Sequence, residues 1–221
     1  MSPLSPDQAR EFLDAIHGDR LEALYLVALG VGLRQGEILG LAWSDIGFVS
    51  STLAVRHALQ RVDGRLILVE PKSVTSHRVV AMPAIVLDAL RAHRTRQRED
   101  RLLAGSRWHD DERGLVFTTT IGTPMDGIAV TRRFQALLLA AGLPRQRFHD
   151  LRHACASLLL AQGVSPRVVM ETLGHSQISL TMNTYSHVIP ALGRAAAAQM
   201  DAMLGPQSAD SPTELYPRGS A

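Results

Sequence analysis

The feature that most constrains the fold of this chain is a single β-rich segment, residues 52–82, with helical patterning on both sides. Within it, residues 53–59, 65–69 and 77–82 are runs rich in β-branched and apolar side chains, and Asp63-Gly64 separates the first two as a hairpin signal. These runs predict a small three-stranded antiparallel sheet. Set among helices, that sheet makes the chain an α+β protein, mainly α.

The helices announce themselves by their ends. Ser5-Pro6-Asp7-Gln8 is a start signature ahead of residues 9–16, and Asp19 is placed to cap a second helix over residues 20–29. Gly30 and Gly32 interrupt the pattern, and residues 34–42 resume it through Ile38, Leu39 and Leu41. Pro83 opens a long helix over residues 83–107, where Arg91, Arg94, Arg96 and Arg98 read as a solvated charged face. Residues 115–117 and 122–124 read as extended or turn segments, and Asp126 begins a helix to residue 141. Further helices are predicted over residues 149–162, 166–173, 176–185 and 190–204. One domain then occupies residues 1–204. Residues 205–221 turn to Ser, Pro, Asp and Gln, a composition that predicts a disordered tail, and Leu215-Tyr216-Pro217-Arg218-Gly219-Ser220 resembles a protease-cleavable linker with one changed residue.

At 221 residues the chain is long enough to bury a substantial core, and its net charge of +2 excludes a polycation wrapped around nucleic acid. Any nucleic-acid binding must rest on local charge. Lys72 is the only lysine, so arginine supplies nearly all the positive charge, and arginine suits planar, bidentate phosphate contacts. Cys155 is the only cysteine, which excludes an internal disulfide and a cysteine-based metal site and fits a reducing cytoplasm. Its apolar neighbours mark it as a small core residue. The best apolar stretch, residues 21–31, is too short to span a membrane, so a cytoplasmic protein is expected.

The chemistry-bearing residues concentrate between Phe148 and Tyr185. On a helix, His149 and Arg152 project from one face, which brings an imidazole beside a guanidinium. Downstream, Leu173-Gly174-His175 ends one apolar segment and Tyr185 falls in the next, so a bend at Gly174 can bring His175 and the phenol into one cleft. Upstream, Arg34 lies near a helix N-terminus, a place favourable to phosphate, and Lys72 follows Pro71 on the turn between the second and third predicted strands. Together Arg34, Lys72, His149, Arg152, His175 and Tyr185 make a phosphoryl-transfer set. A phenol titrates near pKa ~10, so as a nucleophile it needs cations and a base nearby. Taken singly, Lys72 reads as a solvated turn lysine, Tyr185 as a core-edge tyrosine and His175 as a helix-end histidine.

Gly32-Leu33-Arg34-Gln35-Gly36-Glu37-Ile38-Leu39-Gly40-Leu41-Ala42-Trp43, Lys72 before Ser76-His77-Arg78, His149-Asp150-Leu151-Arg152-His153, Leu173-Gly174-His175 and Tyr185-Ser186-His187 resemble, in order, the catalytic domain of the tyrosine recombinases, the phage integrase family. The resemblance spans roughly residues 4–204. It implies a helical integrase-like catalytic domain with the small sheet described above, acting on double-stranded DNA as a site-specific recombinase. It also implies that Tyr185 forms a 3′-phosphotyrosyl link and releases a 5′-hydroxyl. Arg34 and Arg152, assisted by His175, would neutralise charge on the non-bridging oxygens, Lys72 would protonate the leaving oxygen, and His149 would accept the tyrosine proton. Glu37 would be a structural carboxylate positioning an arginine, and Arg132 and Arg133 are candidate contacts to the DNA backbone.

The resemblance further implies no metal, no nucleotide cofactor and a homotetramer on two duplexes, and the chain lacks a P-loop or Rossmann fingerprint. The family's usual N-terminal core-binding domain is expected to be absent, the chain being either an isolated domain or a minimal member. Two rival readings remain. One is a metallohydrolase in which His149 and His153, at i and i+4, bind zinc, although the intervening acid is Asp rather than Glu and no third ligand is apparent. The other is a DNA-binding module or directionality factor that kept the fold without activity.

Overall fold

The computed structural model describes residues 3–70, 77–110, 113–174, 200 and 203–204. Where a side chain can cap a backbone end, helices start as the sequence dictates. Helix α1 (Pro6–Ile16) opens on a reciprocal cap in which Ser5 accepts from Gln8 N and the Gln8 side chain accepts from Ser5 N. Its apolar face buries Phe12 and Ile16 completely. Helix α2 (Glu22–Gly30) is buried along nearly its whole length. It starts later than its sequence predicts, because Asp19 folds back on Leu21 N at 2.8 Å and holds residues 19–21 in a turn.

The next helix, α3 (Gln35–Leu39), is only five residues long and ends at Gly40. It lies close over the strand that follows, where a Cβ on Gly40 would sit 2.9 Å from Ala58 Cα. The β-rich region then divides. Strands β1 (Ile46–Gly47), β2 (Thr52–Val55) and β5 (Arg78–Ala81) form one antiparallel sheet in the order β1-β2-β5, with Leu53 opposite both Ile46 and Val80. Strands β3 (Ala58–Val62) and β4 (Arg65–Val69) form a separate hairpin, joined by Asp63 and Gly64 at φ 48° and 80°. A three-stranded sheet is therefore present, but with different members from those predicted. The run 53–59 breaks at Arg56-His57, and the hairpin belongs to its second half.

Helix α4 (Ala84–Ala104) packs on α2, and its arginines are not all solvated. Arg94 lies over the Trp43 and Phe48 rings at 5.3 and 5.5 Å, and Arg96 donates to Asp19 O at 3.0 Å. Helix α5 (Gly127–Ala140) is capped by Asp126, which accepts from Ile128 N. Helices α6 (Asp150–Ala161) and α7 (Pro166–Leu173) pack on each other, and α6 also packs on α2. Phe12, Tyr25, Phe134 and Phe148 meet edge-on or tilted at 5.4–6.3 Å and join α1, α2, α5 and the start of α6 in one core. Cys155 sits in the interior, where burial pushes its thiol up to about 12, so it stays a protonated core group. Among the described residues no helix is long and apolar enough to cross a membrane. The predicted helices 176–185 and most of 190–204, and the tail, lie outside the described residues.

Candidate active site

The turn between α2 and α3, the start of α6 and the end of α7 meet at one place. Arg152, on the first turn of α6, is 2 % exposed, yet its guanidinium is directed at polar partners on two other elements. One terminal nitrogen donates to Gly32 O and the other to Leu173 O, each at 2.6 Å. This crossing requires Gly32. Its φ is +73°, and a Cβ there would run into the Leu173 side chain and come within 3.1 Å of Cys155 Sγ. The glycine that breaks the helical pattern before Arg34 thus lets α6 and α7 close on the turn.

Arg34 sits at the N-cap of α3 with its side chain 42 % exposed. Glu37 orients it from within the same turn, accepting from Arg34 N at 2.9 Å and from its guanidinium at 2.8 Å. The carboxylate is buried, and a second guanidinium reaches it from the sheet. Arg78 on β5 donates to both carboxylate oxygens, at 3.3 and 3.0 Å. Burial pushes the Glu37 carboxyl up, but the hydrogen bonds and charge of Arg78, followed by those of Arg34, outweigh it and hold the group below the usual carboxylate range. Glu37 therefore positions two arginines, where the sequence suggested one.

His149 occupies the position before α6, beside these cations, and makes no side-chain cap there. Partial desolvation, then the charges of His153, Arg152 and Arg34, lower its pKa, and Asp150 opposes them only weakly. The shift favours the uncharged imidazole, the form that can accept a proton. Its ring meets His153 edge-on at 4.9 Å. Asp150 bonds the Arg147 side chain, at 2.8 Å to the nearest guanidinium nitrogen. Among the described residues no group of His, Cys, Asp and Glu is arranged to hold a metal ion.

Of the six residues singled out in the sequence, the structure gathers Arg34, His149 and Arg152, for both arginines act on His149 through their charge. Lys72, His175 and Tyr185 lie outside the described residues. The described groups suit an anion. Arg34 and Arg78 share the Glu37 carboxylate, and Arg152 donates to the backbone oxygens of Gly32 and Leu173, so guanidinium groups predominate among the described residues here. Nothing local to Ser76-His77-Arg78 marks Arg78 as buried, and its part in this cluster is visible only in the structure. Arg133, a candidate contact to the DNA backbone, bonds Asp19 Oδ2 through both Nε and Nη2, at 3.0 and 2.5 Å, which ties α5 to the turn before α2. Arg132 lines a shallow cleft with Gln35, Thr131 and Arg145.

The sequence profile of the Phage integrase family matches residues 3–191. A XerC-like tyrosine recombinase of Caldanaerobacter subterraneus subsp. tengcongensis is 41 % identical over 196 residues, covering 84 % of this chain and 50 % of that protein. An integrase of Streptomyces ambofaciens is 32 % identical over 206 residues, covering 88 % of this chain and 51 % of that one. The chain spans about half the length of the curated relatives it matches. Among solved structures, the Tn1549 transposon integrase in complex with transposon right end DNA superposes with a TM-score of 0.75 at 27 % identity, covering 92 % of this chain and 66 % of that one. XerA recombinase shares the fold at a TM-score of 0.69 and 24 % identity, covering 94 % of this chain and 65 % of that one.

Proposed function

Because this chain belongs to the phage integrase family, we propose that it is the DNA-cleaving and rejoining part of a site-specific recombinase. One observation carries the reading: guanidinium groups, held in place by a buried carboxylate, adjoin a histidine whose pKa their charge helps to lower. That arrangement suits a phosphodiester in a transesterification, where negative charge builds on the non-bridging oxygens and a hydroxyl must lose its proton.

In this reading the Tyr185 oxygen attacks phosphorus and the bond to the 5′-oxygen breaks. The tyrosine proton passes to His149, and Lys72 supplies a proton to the leaving oxygen. Arg34 and Arg152, with His175, take the developing charge. The product is a 3′-phosphotyrosyl link and a free 5′-hydroxyl, so bond energy is kept for rejoining and no nucleotide cofactor or metal is called on. Double-stranded DNA is the partner, supported by the related transposon integrase bound to transposon end DNA. Exchange of strands between two duplexes requires a cleaving protomer at each of the four strands, hence a homotetramer.

The test is covalent capture. The chain, incubated in EDTA with a pool of nicked duplexes of randomised sequence, should form a denaturation-resistant protein–DNA adduct that Tyr185→Phe does not form. Adduct formation that requires a divalent metal, or its persistence in Tyr185→Phe, would contradict the proposal.

A further inference from the structure

The C-terminus of α7 is held by two guanidinium groups that reach it from different elements. Arg152 of α6 takes Leu173 O, and Arg78 of β5 takes Thr172 O through Nε at 2.9 Å. These carbonyls belong to the last helical turn, which has no amide partners of its own and carries the negative end of the helix dipole. At Gly174 the chain turns into the left-handed region at φ +68°, and the Arg78 guanidinium covers the turn so closely that a Cβ on Gly174 would lie 2.8 Å from its Nη1 and 3.0 Å from its Cζ. The opposite edge of the same guanidinium bonds Glu37, whose carboxylate in turn fixes Arg34. With its side chain only 8 % exposed, Arg78 has no room to swing out toward a ligand as Arg34 has.

We propose that Arg78 is a positioning residue that sets Arg34 against the end of α7, through Glu37 on one edge of its guanidinium and through Thr172 and Gly174 on the other. The planar fork is essential to this task, because one group must satisfy a bidentate carboxylate and a backbone carbonyl in fixed directions. A lysine ammonium can hold the charge but not all three directions. Arg78 does not touch DNA. Its effect on the proposed cleavage reaction is exerted through the placement of Arg34 against the end of α7.

The inference rests on the proposed function, and its test separates the two. On nicked duplexes recovered by covalent capture, single-turnover adduct formation by Arg78→Ala should be about a hundredfold slower than by the unaltered chain, the scale of rate loss expected from a misplaced reacting group. DNA affinity should change little. Arg34→Ala with Arg78→Ala should be scarcely slower than Arg34→Ala alone, because without Arg34 there is little left for Arg78 to position through Glu37. Arg78→Lys preserves charge and most of the packing, so it guards against a fold defect. It should melt near the unaltered chain yet remain slow. Rates near those of the unaltered chain for Arg78→Lys, losses that multiply in the double variant, or a loss confined to DNA affinity would each overturn the role of Arg78 while leaving the proposed function intact. Failure of the unaltered chain to form any adduct would instead remove the proposed function, and this inference with it.

Discussion

Arg78 and Glu37 form a doubly hydrogen-bonded pair, at 3.0 and 3.3 Å, between a strand and a helix that are 41 positions apart in the chain. Both side chains are almost wholly buried, at 8 % and 5 % exposure. Glu37→Ala leaves the Arg78 charge buried without its carboxylate and should lower unfolding free energy by about 3–5 kcal/mol. Urea denaturation at neutral pH measures this. Glu37→Gln, which keeps an acceptor in place, should lose less.

Gly32 is the second point at which the site depends on one residue type. Gly32→Ala places a methyl group against Leu173 and Cys155 and forces an L side chain to a φ of +73°. A loss of about 2–4 kcal/mol is expected from strain and overpacking together. Cys155→Ala combined with Gly32→Ala should recover part of the packing loss, since it removes the sulfur that lies 3.1 Å from the added methyl. A double variant no more stable than Gly32→Ala would place the cost in the backbone and the Leu173 contact rather than in Cys155.

His93 gives the chain a pH-dependent stability far from the site. Burial, offset by a hydrogen bond to Val116 O and reinforced by the Arg20 and Arg96 charges, lowers its pKa from 6.5 to about 4. The unfolded chain binds a proton as pH falls below 6.5, while the folded chain refuses it until about 4, so stability present above 6.5 is lost across that window. The His93 share is about 3 kcal/mol. His149 and His153, also lowered, act in the same direction. Unfolding free energies measured at pH 7 and pH 4 should therefore differ by about 3 kcal/mol less in His93→Gln than in the unaltered chain.

Local signals made much of this fold legible in the sequence. Ser5, Asp126 and Ser165 each cap a helix with their own side chains, and Gly64 closes the hairpin. What required the structure was non-local. Strand β1 is two residues long, too short for any alternation to show, so the sequence carries no sign of it and the predicted sheet has other members. Arg96 reads as solvated in sequence because its acceptor, Asp19 O, lies 77 positions away. The same holds for Arg78, whose burial is set by Glu37 and Thr172, neither of which adjoins it in sequence. Arg34, His149 and Arg152 were legible because their side-chain chemistry, in that order along the chain, matches a known pattern.

In the proposed reaction Lys72 is the acid rather than a phosphate clamp, and one atomic replacement distinguishes the two roles. Lys72→Ala should cleave ordinary DNA slowly, and sulfur at the 5′-bridging position, a far better leaving group, should restore much of its rate. Arg152→Ala should not be rescued, because the non-bridging oxygens are unchanged by that sulfur. Equal rescue of both variants, or of neither, would remove Lys72 as the acid.

In the proposed reaction Tyr185 carries DNA by its 3′-phosphate, a linkage that mass spectrometry of the captured adduct identifies. After digestion of protein and DNA, a nucleotide is expected attached through its 3′-phosphate to the peptide containing Tyr185, with a 5′-hydroxyl on the released strand. A nucleotide on any other residue, or one attached through a 5′-phosphate, would contradict it.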